Sequence, residues 1–546
     1  MKTKTDTRLW LLIAALLLVF VSGSPATAMP PVTLIDPPWQ ESQIDGRFPD
    51  TSPTTRVYAQ NRRLFKAYQG QGSLTVENHG VISAEVYVNG RRISMDAALR
   101  FPNSRTTIDL GPYTVNGDNT LKVLHITPPG SQLILNIPYP ELTVGEPAAV
   151  GFSSAKLAQI DTLIRSEVAR GFPGAVLLVL KDGRIVKNTA YGWQKKYNGD
   201  QLLAPGEPMT PGTMFDLASN TKVYATVMAL MKLVDEGRVD PDARVSAYLP
   251  DFHDAGREEI TVRDLLTHSA GLAPEIKYFD PAEAGAFYSV DRTTTLSLTQ
   301  QAPLLRAPGT ATVYSDTGFI LLGDLVEHVT GQRLDDYLEQ QLYRPLGLAH
   351  TLFNPLRKGF APAQFAATER NGNTRDHQRD FPGIRQTTIQ GEVHDEKAFY
   401  SLDGVAGHAG LFSRSQDLAV LAQLLLNGGG YGGYRLCSPA VVTAFTKPSV
   451  RDPRFGLGWN KGGHPGNIYE FGPYASDQVI GHTGWVGIDT CIDFKQDMAI
   501  ILLTNKVHSP MMPGQINRFA TADLETGKYG SIISLVYEAL LEKDPR

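Results

Sequence analysis

The chain has 546 residues, which is too long for one hydrophobic core and predicts at least two folded domains. Its formal net charge is −5, from 51 basic and 56 acidic residues, and no basic block stands out. This charge pattern argues against nucleic acid as a partner. A hydrophobic content of 42% with 9% aromatic residues is typical of a globular protein with an ordinary core.

The first 28 residues have the pattern of an export signal. Basic residues precede an apolar core at 9–21, and Ala26-Thr27-Ala28 follows it. The apolar core is short for a membrane span, so cleavage near Ala28 is favoured over retention as an anchor. We therefore expect a periplasmic or secreted protein, which contacts a membrane only if this segment stays uncleaved.

Residues 31–140 are expected to form a small β-sandwich without a helix. Short alternating segments are predicted as strands at 73–77, 84–88, 107–110, 121–126 and 132–137. Asn89-Gly90 is a strong hairpin signal between two of them. No cluster of titratable residues here suggests chemistry, so contact with a glycan or a protein partner is the expected role.

The second domain, residues 146–546, opens with a helix and a hairpin. The apolar spacing predicts an amphipathic helix at 153–170. Two strands, 174–180 and 184–191, are predicted to pair across the turn Asp182-Gly183.

The end of this domain repeats the mixture of helix and strand. After a helical, loop-rich middle, the predicted elements are a helix at 413–427, strands at 487–494 and 498–504, and a helix at 532–541. Ser413 and Gln416 have the spacing of a capping box. The domain is thus predicted as an α/β (α+β) fold, with an antiparallel sheet built from both ends, flanked by helices, and a helical subdomain between.

Two cysteines are present, Cys437 in a turn and Cys491 in a strand-like run. A disulfide is compatible with an exported protein, but the two lie in different kinds of segment. We favour two buried, unpaired thiols.

Ser219 and Lys222 stand three residues apart at the start of an apolar helical stripe that ends at Gly237. This spacing places both side chains on one helix face. The free N–H groups of a helix N-terminus favour a developing anion. Ser219 is therefore a candidate nucleophile for acyl transfer, with Lys222 as an adjacent base.

Ser-x-x-Lys alone is a weak signal, because it arises by chance about once or twice in a chain of this size. Ser153-Ser154-Ala155-Lys156 also fits the pattern. There a serine is interpreted as the N-cap of the predicted helix, with Lys156 solvated in its first turn. The Ser219 assignment therefore depends on other motifs.

Two further motifs support it, both placed next to predicted regular elements. They are Tyr314-Ser315-Asp316 and His482-Thr483-Gly484-Trp485. With Ser219-x-x-Lys222 they resemble, in order, the three motifs of the serine β-lactamase and penicillin-binding protein family, of the class C, peptidase S12-like type. The resemblance covers roughly residues 146–546. The runs 393–398 and 404–410 are similar, within that family, to penicillin-binding protein 4B and its periplasmic relatives.

The resemblance implies a β-lactamase/transpeptidase-like fold and an acyl-enzyme mechanism. Ser219 would be the acylated nucleophile, and Lys222 and Tyr314 would share proton transfer. Backbone N–H groups of Ser219 and Trp485 would form the oxyanion hole.

The same resemblance implies which residues contact the substrate. The substrate would lie along the strand that carries His482, Thr483 and Gly484, and Thr483 would be able to donate to a substrate carboxylate. Asp316 and Trp485 would complete this surface.

Two of these positions depart from the family pattern. Asp316 stands where asparagine is usual, and a carboxylate is expected to raise the pKa of Lys222 and shift the base role toward Tyr314. The alternative is that Asp316 only caps the following helix. His482 stands where lysine is common, so its partial charge near neutral pH is expected to give a weaker, pH-dependent grip on a carboxylate. Both changes argue against efficient β-lactam hydrolysis.

Other histidines are assigned by their context. His268 follows a helical run and is expected to be structural. His394 and Asp395 lie in a long irregular stretch at 354–400, so substrate contact is a hypothesis for both. No metal-ligand spacing and no Gly-x-Ser-x-Gly elbow occurs, so we expect no metal, no cofactor and no α/β-hydrolase site.

The sequence thus predicts an exported serine hydrolase acting through an acyl-enzyme. The leading hypothesis is a D-alanyl-D-alanine carboxypeptidase or related murein-peptide hydrolase, with a peptidoglycan stem peptide as substrate. One alternative is an esterase that takes small esters. Another is a penicillin-binding sensor that is acylated but hardly turns over, since acylation needs the same residues in all three.

Overall fold

The computed structural model describes residues 62–128, 131–253 and 256–540. The expected signal peptide at 1–28 lies outside the described residues. Among the described residues, no helix combines the length and the apolar character needed to cross a membrane.

The N-terminal part of the described chain is built almost wholly of strands. Its elements are β1 (Arg62–Ala67), β2 (Ser73–His79), β3 (Ser83–Val88), β4 (Arg91–Ile93), the helical turn α1 (Asp96–Leu99), β5 (Ser104–Asp109), β6 (Gly117–Thr127) and β7 (Gln132–Asn136). One sheet has the order β1-β6-β3-β4 and the other the order β5-β2-β7. Buried side chains from both sheets share one hydrophobic core. We call this part the β-region.

The predicted all-β character of the β-region is confirmed, with local differences. β1, β4 and α1 were not predicted, and α1 lies where the sequence suggested no helix. Asn89 and Gly90 form the hairpin turn between β3 and β4, both with positive φ angles of 51° and 77°. Such backbone angles are the ones an Asn-Gly hairpin turn requires.

The rest of the chain carries the remaining strands. They are β8 (Thr143–Val144), β9 (Gly174–Lys181), β10 (Arg184–Asn198), β11 (Gln201–Pro208), β12 (Phe215–Asp216), β13 (Leu352–Phe353), β14 (Leu411–Ser413), β15 (Gly430–Tyr431), β16 (Tyr434–Arg435), β17 (Asn460–Lys461), β18 (Val479–Gly484), β19 (Ile488–Asp493) and β20 (Met498–Thr504). The main sheet has the order β11-β10-β9-β20-β19-β18-β17, and β8 pairs with β10. β9 and β20 are antiparallel neighbours, so the two ends of the domain meet in one sheet, as predicted.

Helices cover both faces of this sheet. They are α2 (Ser154–Ala169), α3 (Met228–Asp235), α4 (Val262–Leu266), α5 (Pro281–Ala284), α6 (Arg292–Gln300), α7 (Asp316–Thr330), α8 (Leu334–Leu338), α9 (Ser415–Leu426), α10 (Pro439–Thr446), α11 (Ile468–Phe471) and α12 (Tyr529–Glu538). Along β9, Leu177 and Val179 pack with α2 and α12, whereas Leu178 and Leu180 pack with α9 and the helical insertion. Because both faces are covered, β9 is buried along its whole length.

One predicted helix start is wrong. Ser413 is not a cap but the last residue of β14, where its hydroxyl lies 2.8 Å from that of Thr351. α9 begins at Ser415 after Arg414, which makes no side-chain capping bond. The capping-box spacing was therefore misleading here, because pairing with β12 holds Ser413 in an extended strand.

The two cysteines confirm the prediction of unpaired thiols. Cys437 and Cys491 are both free and buried. Burial raises the pKa of each thiol, so neither is a reactive thiolate at neutral pH.

The β-region contacts the turn between β19 and β20 of the main sheet and the end of α9. Lys66 Nζ lies 2.8 Å from an Asp497 carboxylate oxygen, in the turn between β19 and β20. The Tyr68 hydroxyl accepts a hydrogen bond from Gln423 of α9 at 2.7 Å and is almost fully buried. A polar, specific contact of this kind fixes the β-region to the sheet.

Candidate active site

Ser219 lies in a tight turn between β12 and the helical insertion. A 3₁₀ turn spans Ala218–Asn220, and Lys222–Val227 continue as a π-helical turn into α3. Ala218 has a φ of 45°, a strained conformation for a residue with a side chain, and its N–H donates to Asp216 at 2.8 Å. Ser219 therefore lies at an abrupt backbone turn instead of the regular first helical turn that the sequence suggested.

Lys222 is fully buried and points at three acceptors. Its Nζ donates to Ser219 Oγ at 3.1 Å, to Asp316 Oδ1 at 2.8 Å and to the His408 carbonyl at 3.3 Å. Burial favours the neutral amine, but the charge of Asp316 and the nearby Tyr314 hydroxyl outweigh it and raise the pKa of Lys222. The resting side chain is an ammonium, and the expected effect of Asp316 on this pKa is confirmed.

Tyr314 faces Lys222 across the site. The Lys222 ammonium lies 4.7 Å from the centroid of the Tyr314 ring. Desolvation of the phenolate raises the pKa of Tyr314, although Lys222 and Ser219 act in the opposite direction. At neutral pH both groups therefore carry their protons.

His268 supports Tyr314 from behind. Its ring centroid lies 4.7 Å from that of Tyr314, and its Nδ1 accepts the backbone N–H of Ser315 at 3.1 Å. Burial, together with the charge of Lys222, lowers the pKa of His268 to about 3, so the ring is neutral. A buried, neutral histidine that accepts a backbone bond is structural, as predicted.

Asp316 does not cap the helix it begins. Ser315 does so, because its Oγ accepts the Gly318 N–H at 3.0 Å. The alternative interpretation of Asp316 as a simple cap is therefore wrong. Its two oxygens instead bind Lys222 at 2.8 Å and Lys397 at 3.2 Å, and these two ammonium groups hold the pKa of the carboxyl well below its usual range.

Lys397 belongs to a charged cluster that the sequence analysis did not assign to the site. Its Nζ contacts Glu275 Oε1 at 2.8 Å and Asp395 Oδ2 at 3.3 Å, in addition to Asp316. His408 Nε2 lies 3.0 Å from the other Asp395 oxygen. The only sequence signal was a lysine within the run 393–398, which follows two acidic residues.

This cluster is also the one group among the described residues with metal-ligand spacing. Ligand atoms of Asp316, Asp395 and His408 lie within 4.8 Å of one another. Both carboxylates, however, already bind lysine ammonium groups. The arrangement balances charge with lysines and is suited to holding Lys222 in place.

β18 forms the wall on the other side of Ser219. Gly484 at its end packs so closely that a Cβ atom there would lie 2.6 Å from the Leu217 carbonyl. The Gly484 carbonyl also accepts a hydrogen bond from the Tyr529 hydroxyl at 2.9 Å, and this bond fixes the end of the strand. Thr483 is partly exposed, so its side chain is accessible from the cleft.

His482 differs from the expectation of partial charge. It is buried, and its Nδ1 lies 2.7 Å from the Thr483 carbonyl, so Nδ1 carries the proton of the neutral ring. Burial and the charge of Lys222 lower the pKa of His482 to about 3. Its Nε2 is buried without a hydrogen-bond partner among the described residues. The predicted cationic grip on a carboxylate near neutral pH is therefore wrong.

Trp485 follows β18 and is the more exposed part of this wall, at 37%. His394 stacks on its ring at 4.9 Å, and Arg375 lies 4.8 Å from the ring centroid. His394 Nε2 lies 2.6 Å from Glu369 Oε1, which Arg375 also contacts. His394 thus supports Trp485 from a buried position, and we no longer expect it to contact the substrate directly.

Asp395 has a similar supporting place. Its carboxylate is engaged by Lys397 and His408, and it also accepts the Ala398 N–H at 2.9 Å. The hypothesis of direct substrate contact is replaced by one of support for Lys397.

The loop at 404–410 closes the site against α7. A Cβ atom on Gly407 would lie 2.0 Å from the Phe319 carbonyl. The Gly407 carbonyl accepts the Thr226 hydroxyl at 2.7 Å, and the next carbonyl, of His408, is the one bound by Lys222. Close backbone packing therefore sets the position of an acceptor for Lys222.

Ser153 and Lys156, the competing pair, lie elsewhere and serve α2. The Ser153 hydroxyl accepts the Lys156 backbone N–H at 3.3 Å, which is the predicted N-cap. Lys156 Nζ donates instead to the Glu538 carbonyl at 2.6 Å. The structure thus brings the expected groups together at Ser219.

Comparison with known proteins places the chain in a family. Residues 160–523 match the model of the Beta-lactamase family. A Bacillus subtilis (strain 168) protein named N-acetylmuramyl-L-alanine amidase is 51% identical over 397 residues, which cover 71% of this chain and 90% of that relative. An Escherichia coli (strain K12) protein named as a D-alanyl-D-alanine carboxypeptidase is 48% identical over 413 residues, which cover 74% and 95%.

The fold and the Ser219 site define a serine hydrolase. The chain belongs to the Beta-lactamase family. The crystal structure of a penicillin-binding protein homologue from Caulobacter crescentus shares the fold, with a TM-score of 0.51 and 22% identity over 71% of this chain and 99% of that one. The predicted family and fold are confirmed, and the finer likeness to penicillin-binding protein 4B stays a prediction.

Proposed function

We propose that this serine hydrolase is exported and removes D-alanine from D-alanyl-D-alanine termini of murein peptides through an acyl-enzyme on Ser219. The observation that carries the proposal is the 3.1 Å contact between Ser219 Oγ and Lys222 Nζ at a buried, ion-paired position. Export rests on the pattern of residues 1–28.

In the proposed reaction, Ser219 Oγ attacks the carbonyl carbon of the peptide bond between the two alanines. Its proton passes to the Lys222 and Tyr314 pair, while the N–H groups of Ser219 and Trp485 hold the oxyanion. The pair then protonates the leaving amine of D-alanine. Water, activated by the same pair, finally hydrolyses the ester on Ser219.

The protonation states of the resting site set a condition on this reaction. Lys222 and Tyr314 both have raised pKa values, so neither is a free base at neutral pH. One proton has to leave the pair before it can accept the one from Ser219. We therefore expect the acylation rate to rise with pH.

The choice of a murein peptide rests on two kinds of support. The names of the relatives from Escherichia coli and Bacillus subtilis both refer to reactions on murein peptides. The match covers 95% and 90% of those relatives, so a shared substrate class is the simplest inference. The two names refer to different bonds of the stem peptide, and the test below separates them.

An esterase is the second candidate, and the neutral state of His482 favours it. With no cation on β18, the described residues of that strand offer a substrate carboxylate only Thr483 and backbone N–H groups. A neutral acyl group needs no such partner. This feature also argues against efficient β-lactam hydrolysis.

The test is to incubate the protein with a muramyl pentapeptide ending in D-alanyl-D-alanine and, separately, with a short-chain aryl ester. Release of D-alanine supports the proposal, and release of the free peptide from the muramyl group indicates the amidase reaction. Turnover of the ester alone favours the esterase. A fluorophosphonate probe should label Ser219, and Ser219→Ala should abolish labelling.

Ser153→Ala is the matched control, since Ser153 is also followed by lysine at the third position but caps α2. It should leave both labelling and turnover intact. Labelling that survives Ser219→Ala would reject the assigned nucleophile.

A further inference from the structure

A second buried lysine shares the carboxylate that binds Lys222. Lys397 is only 4% exposed, and its Nζ lies 3.2 Å from Asp316 Oδ2, while Lys222 lies 2.8 Å from Oδ1. One carboxylate therefore bridges two ammonium groups. Because each cation occupies one oxygen, rotation of the Asp316 side chain away from Lys222 would break both contacts.

Lys397 is itself held in a fixed position. Glu275 Oε1 and Asp395 Oδ2 contact its Nζ at 2.8 and 3.3 Å. Asp395 also binds His408, whose backbone carbonyl accepts from Lys222. The contacts thus form a closed ring that starts and ends at Lys222, with Lys397 opposite it. Among the described residues, the ion pairs of Lys397 are with Glu275, Asp316 and Asp395 and not with Ser219, so its influence on the nucleophile passes through Asp316.

We propose that Lys397 is a positioning residue, which aims the Asp316 carboxylate at Lys222 and offsets part of the carboxylate charge, so that Lys222 can lose a proton before Ser219 is acylated. The inference rests on the function proposed for Ser219. It assigns a role in proton transfer to a residue outside the three motifs.

The physical reason is competition between two cations for one anion. If Lys397 loses its charge, the full charge of Asp316 acts on Lys222 and makes its proton harder to remove. If Asp316 loses its charge, Lys222 releases its proton more easily. The two changes therefore move the pH dependence of the rate in opposite directions, which a purely structural role of Lys397 does not predict.

Other charged and titratable groups also face these two lysines, and they are the same in the wild type and in the Lys397 and Asp316 variants. Those that act on Lys222 or are acted on by it are Tyr314, His268 and His482. Those around Lys397 are Glu275, Asp395, Glu396, Tyr278 and, through Asp395, His408.

The experiment measures turnover of a short-chain aryl ester by the full chain from about pH 6 to about pH 10, a range that brackets neutral and alkaline conditions. In Lys397→Met the rising limb should move to higher pH, and the rate at neutral pH should fall about tenfold, the factor that one pKa unit represents. Lys397→Arg keeps the charge and should stay near the wild type. Asp316→Asn should move the limb to lower pH.

Lys232→Met is the matched control, because Lys232 is also a buried lysine in a salt bridge, with Glu236 at 3.0 Å on α3. Its limb should coincide with that of the wild type. An unmoved limb in a folded Lys397→Met would overturn the proposal.

Asp395→Asn keeps the idea testable if Lys397→Met does not fold. Without the Asp395 charge, Lys397 pairs more strongly with Asp316, so the rising limb of the pH–rate profile should move to lower pH. An unmoved limb in this variant would also reject the role proposed for Lys397. Failure of the proposed function looks different: the wild type would then release no D-alanine from the pentapeptide. If Ser219 were not the nucleophile, the wild type would show no fluorophosphonate labelling at Ser219.

Discussion

His482 illustrates how burial decides the chemistry of a single residue. The same imidazole on an exposed strand would be partly charged at neutral pH. Here the ring is buried beside the Lys222 ammonium, and its pKa falls to about 3. Its Nε2, which has no hydrogen-bond partner among the described residues, can accept an N–H or O–H but cannot bind a carboxylate anion.

The first prediction concerns this position. His482→Lys should raise kcat/KM for substrates that end in a carboxylate relative to neutral esters, because it places a cation on β18. It should also lower Tm, since a second ammonium is buried near Lys222. Parallel assays of the pentapeptide and the aryl ester check the ratio. Equal changes for both substrates would show that this residue does not contact the carboxylate.

The pH dependence of the wild type around pH 7 tests the charge state of His482 independently. Because His482 stays neutral well above its pKa of about 3, turnover of the pentapeptide should not fall between about pH 6 and about pH 8. A descending limb in that range would mean that His482 does titrate there.

At the scale of one residue, the sequence predicted which side chains meet at Ser219 and the raised pKa of Lys222, but not the neutral state of His482. Ser219, Lys222 and Tyr314 were found because motif spacing carries over directly to the site. The charge of His482 depends on burial by strands and loops distant in sequence. Lys397 was missed for the same reason, since only the fold brings it to Asp316.

Among the elements, α7 matters most to the site because two functional side chains lie at its start, one just before the N-cap and one just after it. Tyr314 and Asp316 flank the N-cap Ser315, which binds the Gly318 N–H at 3.0 Å. His268 fixes the backbone N–H of the same residue. The start of α7 is therefore held from two sides.

The second prediction is that Ser315→Ala lowers kcat more than it changes KM. Loss of an N-cap costs about 1–2 kcal/mol in helix stability, and fraying of this turn displaces Tyr314 and Asp316 together. Ser153→Ala removes a similar cap from α2 and should lower Tm without affecting kcat. Similar kcat values for both variants would contradict a special role for the start of α7.

Regular elements were predictable where the pattern is local. α2, the β9–β10 hairpin and β20 follow from hydrophobic spacing and turn residues, with ends shifted by a few positions. The error at Ser413 has a tertiary cause, because strand pairing with β12 overrides the local cap signal. The order of strands in the main sheet could not be derived from spacing alone.

On the scale of the whole molecule, the β-region is attached to the main sheet and α9 through residues that do not belong to the Ser219 site. Lys66 binds both Asp497 and the Leu426 carbonyl, and Tyr68 is buried against Gln423. These contacts involve the turn after β19 and the end of α9, not the residues around Ser219. The β-region therefore stabilises the sheet without supplying a reacting group.

The third prediction follows for a chain that begins at Gly145. Its kcat for the aryl ester should stay close to that of the full chain at low temperature, while Tm should fall by about 5 °C or more, as expected for a loss of a few kcal/mol. Thermal unfolding and ester kinetics check this. Lys66→Met in the full chain should lower Tm in the same direction. Loss of turnover by a folded short chain would mean that the β-region helps to build the active site.

The close contact of Gly407 with α7 also limits how this sequence can diverge. Any larger residue there would collide with the Phe319 carbonyl and push away the loop that carries the His408 acceptor. Gly323 faces it, with a Cβ there only 2.9 Å from Gly407 Cα, so neither position can gain bulk while the other compensates. Substitutions around the exposed edge of Trp485 can therefore change the substrate during evolution. The closely packed backbone next to Lys222 tolerates almost no substitution.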